Sequence, residues 1–314
     1  MIEAKIIKDS INPYDVRLTT WILTYPRWIH SEIMTHRHFS RNASSSRARP
    51  ISKVLKEVDE NPATPESWGS NQSGMQAGKE LTNDEFIYYN KELYENYDEF
   101  VIEDEDSICG KIKIGKLDAA KLAWNKASKC AIFYAEQLEK IGVHKQLTNR
   151  IVEPFSHITV LLSGTDFENF FALRAQKDAQ PEFQLLAYKM LELYNNNIPD
   201  KVDTGEWHIP FYDKMPEGIT LEQKLKIAVA RCARLSYMTF DGEINPEKDY
   251  ELYDKLVFSG HYSAFEHCAK VIDPNNEKDT SINTLSNFRF TWIQYRKMLD
   301  NECRKDSRVI EKTF

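Results

Sequence analysis

Two β-rich runs open the chain. Ile2 to Ile7 and Arg17 to Tyr25 have strand length and strand composition, the second reading Leu18-Thr19-Thr20-Trp21-Ile22-Leu23-Thr24. Pro26 suits the first turn of a helix. Ile29, Ile33 and His36 follow at helical spacing, as do Trp28, Glu32 and Thr35. The clearest helix is Asp118 to Ile141: Trp124, Ala127, Ala131, Tyr134, Leu138 and Ile141 recur at three and four, and Gly142 can supply a left-handed cap. Residues 83–100 form a further helix candidate rich in Tyr and Glu, and Asp166 to Arg174 a shorter one. Pro181 starts another, with Phe183, Leu186, Met190 and Tyr194 on one face and Asn195-Asn196-Asn197 at its end. Helices resume at 221–233 and 246–258.

Residues 59–79, broken by Pro62, Pro65, Gly69, Gly74 and Gly78, read as a polar loop, and Glu103-Asp104-Glu105-Asp106 as a solvated turn. Pro199, Gly205, Pro210, Pro216 and Gly218 interrupt every pattern between 199 and 220. The expected organisation is a first part over 1–198, a linker over 199–220 and a second part over 221–314. Strands alternating with long helices predict an α+β fold.

Composition narrows the class. Across 314 residues, 41% apolar and 12% aromatic content supports a substantial core. A net charge of −7 argues against binding a nucleic-acid polymer, which takes Lys and Arg to displace counterions. The five Cys, at 109, 130, 232, 268 and 303, form no Cys-x-x-Cys pair and read as free thiols in a reducing compartment. No run reaches the roughly 18 apolar residues of a membrane span, and the first residues lack a signal-peptide profile. The expectation is a cytoplasmic protein.

Against this acidic background one segment is basic. Thr35-His36-Arg37-His38-Phe39-Ser40-Arg41-Asn42-Ala43-Ser44-Ser45-Ser46-Arg47 has no carboxylate and no apolar stripe. Fixed positive charge beside short hydroxyls suits a phosphate or another anion; a basic loop without a ligand is the plain alternative.

The spacing of His36-Arg37, seven residues, Ser45, one residue, Arg47 resembles the signature of flavin-dependent thymidylate synthases, usually Arg-His-Arg, seven residues, Ser. Thr35 stands where that family has its first Arg, Ala43 where it has Glu, and Glu32, in the Pro26-led segment upstream, where it has Gln. Asn149-Arg150-Ile151-Val152-Glu153-Pro154, Asn169-Phe170-Phe171-Ala172-Leu173-Arg174 and Asp178-Ala179-Gln180-Pro181-Glu182-Phe183 resemble further blocks in the family's order. Two more lie out of order. Ala233-Arg234-Leu235-Ser236-Tyr237 and Gly260-His261-Tyr262-Ser263-Ala264-Phe265-Glu266-His267 resemble blocks near the family's N-terminus, yet follow the signature by about two hundred residues. The chain therefore reads as a permuted or partly duplicated member, with Phe290 to Arg296 as a structural counterpart of the signature strand and helix. The resemblance covers most of 17–190 and 225–297.

The resemblance implies a fold with a mixed sheet and long packed helices, and an enzyme that methylates dUMP to dTMP. Reduced FAD supplies the hydride, methylenetetrahydrofolate the carbon, and NADPH reduces the flavin. It places Arg174 at the pyrimidine O2/N3 edge as the catalytic residue. Glu32, Ser45, Arg47 and Arg150 fall with it at substrate positions, Arg150 reaching a neighbouring subunit's site. His36, Arg37, Asn169, Ser236, His261, Ser263 and Glu266 fall at FAD positions. It also implies a homo-oligomer, a tetramer, and no metal. No Gly-x-Gly-x-x-Gly occurs, so a Rossmann mode of FAD binding is not expected. For Arg174 the plain alternative is a helix C-cap; for His261, a capping or core histidine. Where Thr35 loses a charge, Arg41 or Arg296 would compensate.

Two other readings stay open. A related flavoenzyme adding a one-carbon group, such as hydroxymethyl, to C5 of another pyrimidine nucleotide is motivated by Glu32 and Ala43, since a carboxylate cannot offer an amide N–H. A non-catalytic flavin- or nucleotide-binding protein is motivated by Thr35 and the rearranged order.

Overall fold

The computed structural model describes residues 1–90, 99–101, 111–237, 245–283 and 288–299. In chain order, β1 (Glu3–Ile11) and β2 (Arg17–Pro26) form a hairpin, followed by the one-turn helix α1 (His30–Ile33), β3 (Ser40–Ala43) and α2 (Ile51–Glu60). Next come β4 (Phe86–Asn90), β5 (Glu99–Val101), β6 (Lys111–Gly115), the long α3 (Lys116–Ile141), α4 (Lys145–Thr148) and β7 (His157–Gly164). Then follow α5 (Glu168–Arg174), α6 (Pro181–Asn196), β8 (Asp200–Lys201), β9 (Trp207–His208), α7 (Leu221–Tyr237), α8 (Pro246–Ser259), β10 (Ala269–Val271), α9 (Glu277–Asn283) and β11 (Trp292–Gln294).

The central sheet has the order β3-β7-β2-β1-β8, with β8 parallel to β1 and the other neighbours antiparallel. Side chains of β2 and β7 alternate between the two faces, so each face has its own core, while β1 shifts register between Ile6 and Lys8. Trp21, Leu23 and Tyr25 of β2 join Ile158, Val160 and Leu162 of β7 on one face, against Phe170 of α5 and Phe183, Leu186 and Met190 of α6. Ile22 and Leu161 face the other way, against Leu225, Ala228, Val229 and Cys232 of α7 and Phe265. Polar side chains on this second face form a buried chain. The Thr20 and Ser163 hydroxyls lie 2.6 Å apart, His208 Nε2 is 2.8 Å from Thr20, and His267 Nδ1 is 2.8 Å from Ser163.

Several expectations need revision. Within 83–100, expected as a helix, β4 pairs with β6 from Phe86↔Gly115 to Asn90↔Lys111. The run Phe86-Ile87-Tyr88-Tyr89 favours a strand once a partner is present; residues 91–98 and the acidic run 103–106 lie outside the described residues. The basic signature, which its composition would allow as a loop, contains an edge strand, Ser40–Ala43, paired with β7. α3 spans the expected helix, with Gly142 at φ 90° as its cap, but its buried positions are Ala119, Ser128, Ala131 and Ala135. Tyr134 and Ile141 are exposed; the side that packs against α2 and the 152–155 turn is that of Ala131 and Ala135. Residues 199–220 carry β8 and β9 and bury His208, Ile209 and Phe211. Among the described residues no helix is long and apolar enough to cross a membrane.

Candidate active site

The signature reaches both faces of the sheet through β3. Ser40, Asn42 and Ser44 are buried, while Arg41, Ala43 and Ser45 between them are half-buried. Ala43 packs against the α5/α6 core. Asn42 lines a cavity on the α7 side.

On the first face the structure brings Glu32, His36 and Arg174 together. α1 is one turn long and too short to be stable alone. Buried Ile29 and Ile33 anchor it, and Arg41 Nη1 donates to the carbonyls of Ile33, Met34 and His36 at 3.2, 3.3 and 3.0 Å. Arg41 thus supplies positive charge beside Thr35, whose hydroxyl only donates to the Glu32 carbonyl. Phe170 and Phe171 are buried and fix α5, whose last residue is Arg174. Arg174 Nε donates to His36 Nε2 at 3.1 Å and Nη1 donates to Glu32 Oε2 at 3.3 Å. Its guanidinium carbon lies 4.6 Å from the Phe183 ring centre. Its side-chain bonds run to the signature and to the segment just before it, not to the carbonyls of its own helix.

Burial first, then the Arg174 and Arg41 cations, pushes the His36 imidazole down to about 4. At neutral pH His36 is therefore neutral. Its Nε2 accepts from Arg174, which leaves the ring proton on Nδ1. The ring stands edge-on to Phe170 at 5.1 Å.

The segment after β3 is tied to the turn before β7. Asn149 Nδ2 donates to the carbonyls of Ser46 and Arg49 at 2.7 and 3.1 Å. The Ser46 hydroxyl donates to Glu153 Oε1 at 2.6 Å, and Arg150 Nη1 to Glu153 Oε2 at 3.3 Å. Ser46, between Ser45 and exposed Arg47, and exposed Arg150 thus meet at Glu153.

On the second face, a cavity of about 420 Å³ is lined by Asn42, Ala233, Leu256, Gly260, His261, Tyr262, Ser263, Ala264 and Arg296. Gly260 caps α8 at φ 72°, which turns the chain into the 261–267 block. Arg296 pairs with Glu266 at 2.5 Å. Gln294 Nε2 donates to the Ser40 hydroxyl at 2.8 Å and to the Glu266 carbonyl at 3.2 Å. Blocks some two hundred residues apart thus meet along β3. His261 is exposed, with Nδ1 3.3 Å from the Ser259 hydroxyl. Arg37 and Asn169 are exposed, and Ser236 belongs to the last turn of α7. The structure does not bring His36 to the His261 cavity, although the resemblance groups the two.

Residues 15–200 match the family described as thymidylate synthase complementing protein. The chain belongs to that family. The matched span holds Glu32, the signature, Arg150 and Arg174, and ends before α7. The chain is also similar to two structures of the UMP/dUMP methylase PolB from Streptomyces cacaoi. That bound with 5-Br dUMP is 12% identical, covering 62% of this chain and 90% of that one at a TM-score of 0.41. That bound with 5-Br UMP is 13% identical, covering 62% and 89% at a TM-score of 0.42. No curated protein sequence matches the chain.

For a thymidylate synthase complementing protein, the second-face cavity has donors and an acceptor suited to a flavin. Asn42 is 5% exposed, and its Oδ1 takes no hydrogen bond from the described residues. A buried acceptor left open costs stability unless a ligand or water fills it. The volume lies low in the ~300–1,000 Å³ range of small-molecule pockets, enough for a ring system but not for a whole dinucleotide. The residues fit part of the group. Asn42 and Gln294 were not singled out in the sequence; the alternation that turns Asn42 inward appears only in the burial of the folded strand.

Proposed function

We propose that this chain transfers a one-carbon unit to C5 of a pyrimidine deoxynucleotide, as a flavin-dependent thymidylate synthase does with dUMP. The observation that carries the reading is the convergence of Glu32, His36 and Arg174 from three matched blocks, in a chain that belongs to the family. Bound and reduced, FAD would supply the hydride that completes the methyl group; methylenetetrahydrofolate is the carbon source and NADPH the reductant.

The protein's part is binding and charge. Arg174 faces the O2/N3 edge and stabilises negative charge as it builds on the ring, which makes C5 the better nucleophile. Neutral His36 and the Phe183 ring hold the guanidinium plane. Ser45, Arg47 and Arg150 take the phosphate and ribose. Asn42, His261, Ser263 and the Glu266–Arg296 pair take part of the flavin. Arg37, Asn169 and Ser236 fall to the remainder of the cofactor through contacts that a neighbouring subunit completes, in a homotetramer. This route uses no thiol nucleophile. Cys232 and Cys268 are buried, and burial pushes both thiols up, away from the reactive thiolate.

A second reading is one-carbon transfer to another pyrimidine nucleotide, favoured by the carboxylate of Glu32 beside Arg174. Mass spectrometry of products from dUMP and from dCMP, each with FAD, NADPH and methylenetetrahydrofolate, tests the proposal. A nucleotide carrying an added methyl or hydroxymethyl carbon is expected. Flavin-loaded protein that alters neither nucleotide would overturn it.

A further inference from the structure

We infer that the Glu32–Arg174 pair selects the base, and that the preferred substrate is a cytosine nucleotide over its uracil counterpart. The inference rests on the one-carbon-transfer reading and specifies which pyrimidine that site takes.

Arg174 spends Nε on His36 and one Nη1 proton on Glu32. A guanidinium has five N–H donors in a planar fork, so three protons remain on the two terminal nitrogens, and a parallel pair faces the base when Glu32 takes the outer Nη1 proton. Glu32 uses Oε2 toward Arg174, and its Oε1 takes no hydrogen bond from the described residues. The pair is part-exposed, Glu32 at 34% and Arg174 at 23% of their side chains. A base can therefore approach it. The site then offers two donors flanked by an acceptor.

The edge that matches has two acceptors and then a donor. Cytosine presents O2, N3 and the N4 amino group in that order. Its O2 and N3 receive the arginine fork, and a carboxylate accepts from N4. Uracil presents O2, an N3–H donor and O4. With Arg174 on its O2 side, the N3 proton meets a donor and O4 meets a carboxylate. Both contacts are repulsive, and both leave polar groups unpaired. An amide at position 32, which the family resemblance puts there, can turn its N–H toward O4 and remove the second conflict. Cytosine N3 also accepts without losing a proton, so Arg174 engages the neutral base directly.

The test measures kcat/KM for dCMP and dUMP, and the dissociation constant of each by calorimetry, in wild type and Glu32→Gln, both loaded with FAD. The expected wild-type preference is about 10- to 100-fold for dCMP, the discrimination expected of one well-matched polar pair. In Glu32→Gln the preference should shrink or reverse toward dUMP. Equal or tighter wild-type use of dUMP overturns the inference but leaves one-carbon transfer standing. Product from neither nucleotide overturns the transfer reading. Calorimetry on the wild type alone still decides base selection in that case, and needs no variant to fold.

Discussion

On the α5 side of β3, Arg174 is fixed by paired neighbours; on the α7 side, paired groups surround an open cavity into which one buried acceptor, on Asn42, is left without a described partner. Arg174 is held by His36, Glu32 and the Phe183 ring, and Arg41 closes the end of α1. Asn42, one residue on from Arg41 and pointing the other way, has a buried acceptor with no described partner. The contrast separates two tasks. A group that must stabilise developing charge has to be oriented beforehand, which takes neighbours that leave it little freedom. A group that holds a cofactor is completed by the cofactor. An edge strand can serve both, since its side chains alternate between faces and its outer edge is open to a ligand or a second subunit.

The largest expected effect breaks the oriented side. Arg174→Ala should lower nucleotide modification by about 10²–10³, the loss typical of one preorganised charge donor, while the flavin absorbance spectrum stays unchanged. Arg174→Lys should recover only part of it, because an ammonium lacks the planar fork. Loss of flavin in either variant would contradict the separation of the two faces.

His36→Phe sharpens the same line. It keeps a ring against Phe170 but removes the acceptor that Arg174 uses, and should cost roughly tenfold in kcat, the worth of one hydrogen bond to a charged group. Flavin affinity should hold. If affinity falls instead and kcat does not, His36 belongs to the cofactor side, where the family resemblance puts it.

Asn42→Leu tests the open side. It replaces the unpartnered amide by an apolar side chain, and should weaken flavin binding by about tenfold, read by fluorescence titration. Turnover at saturating flavin should stay near wild type.

The smallest effect is on stability against acid. His36 and His157 are pushed down to about 4 and His267 to about 3, burial being the first cause in each. Each is neutral in the fold and gains a proton more readily when unfolded. Their contribution is therefore complete above about pH 6.5, is lost as pH falls toward 4 and then 3, and levels off below. Thermal denaturation across that window should show Tm falling. In His267→Gln the slope should be shallower; an unchanged slope would mean that His267 does not carry it.

Much of the fold was legible. The strands β1 and β2, the cap at Gly142, the helix starting at Pro181 and the helices after 220 follow from composition, periodicity and turn residues. The strand at 86–90 was not, because it depends on pairing with β5 and with the more distant β6, and local composition suits either state. Arg174, Glu32 and the signature stood out through the family resemblance. That His36 would meet Arg174 was not readable, since it depends on α1 stopping after one turn. The second-face cavity was half legible: the 260–267 block was visible as a motif, but its meeting with Asn42 depends on β3 being a strand.

The most direct test of the account is single-turnover carbon transfer with pre-reduced flavin, which isolates the C5 step from NADPH oxidation. Wild type, Arg174→Ala, and folded protein with Cys109, Cys130, Cys232, Cys268 and Cys303 each replaced by Ala in turn are compared on the better nucleotide substrate. The account predicts product from every Cys variant and a loss of about 10²–10³ with Arg174→Ala. Wild-type product formation by Arg174→Ala, or none from one folded Cys variant, would contradict it.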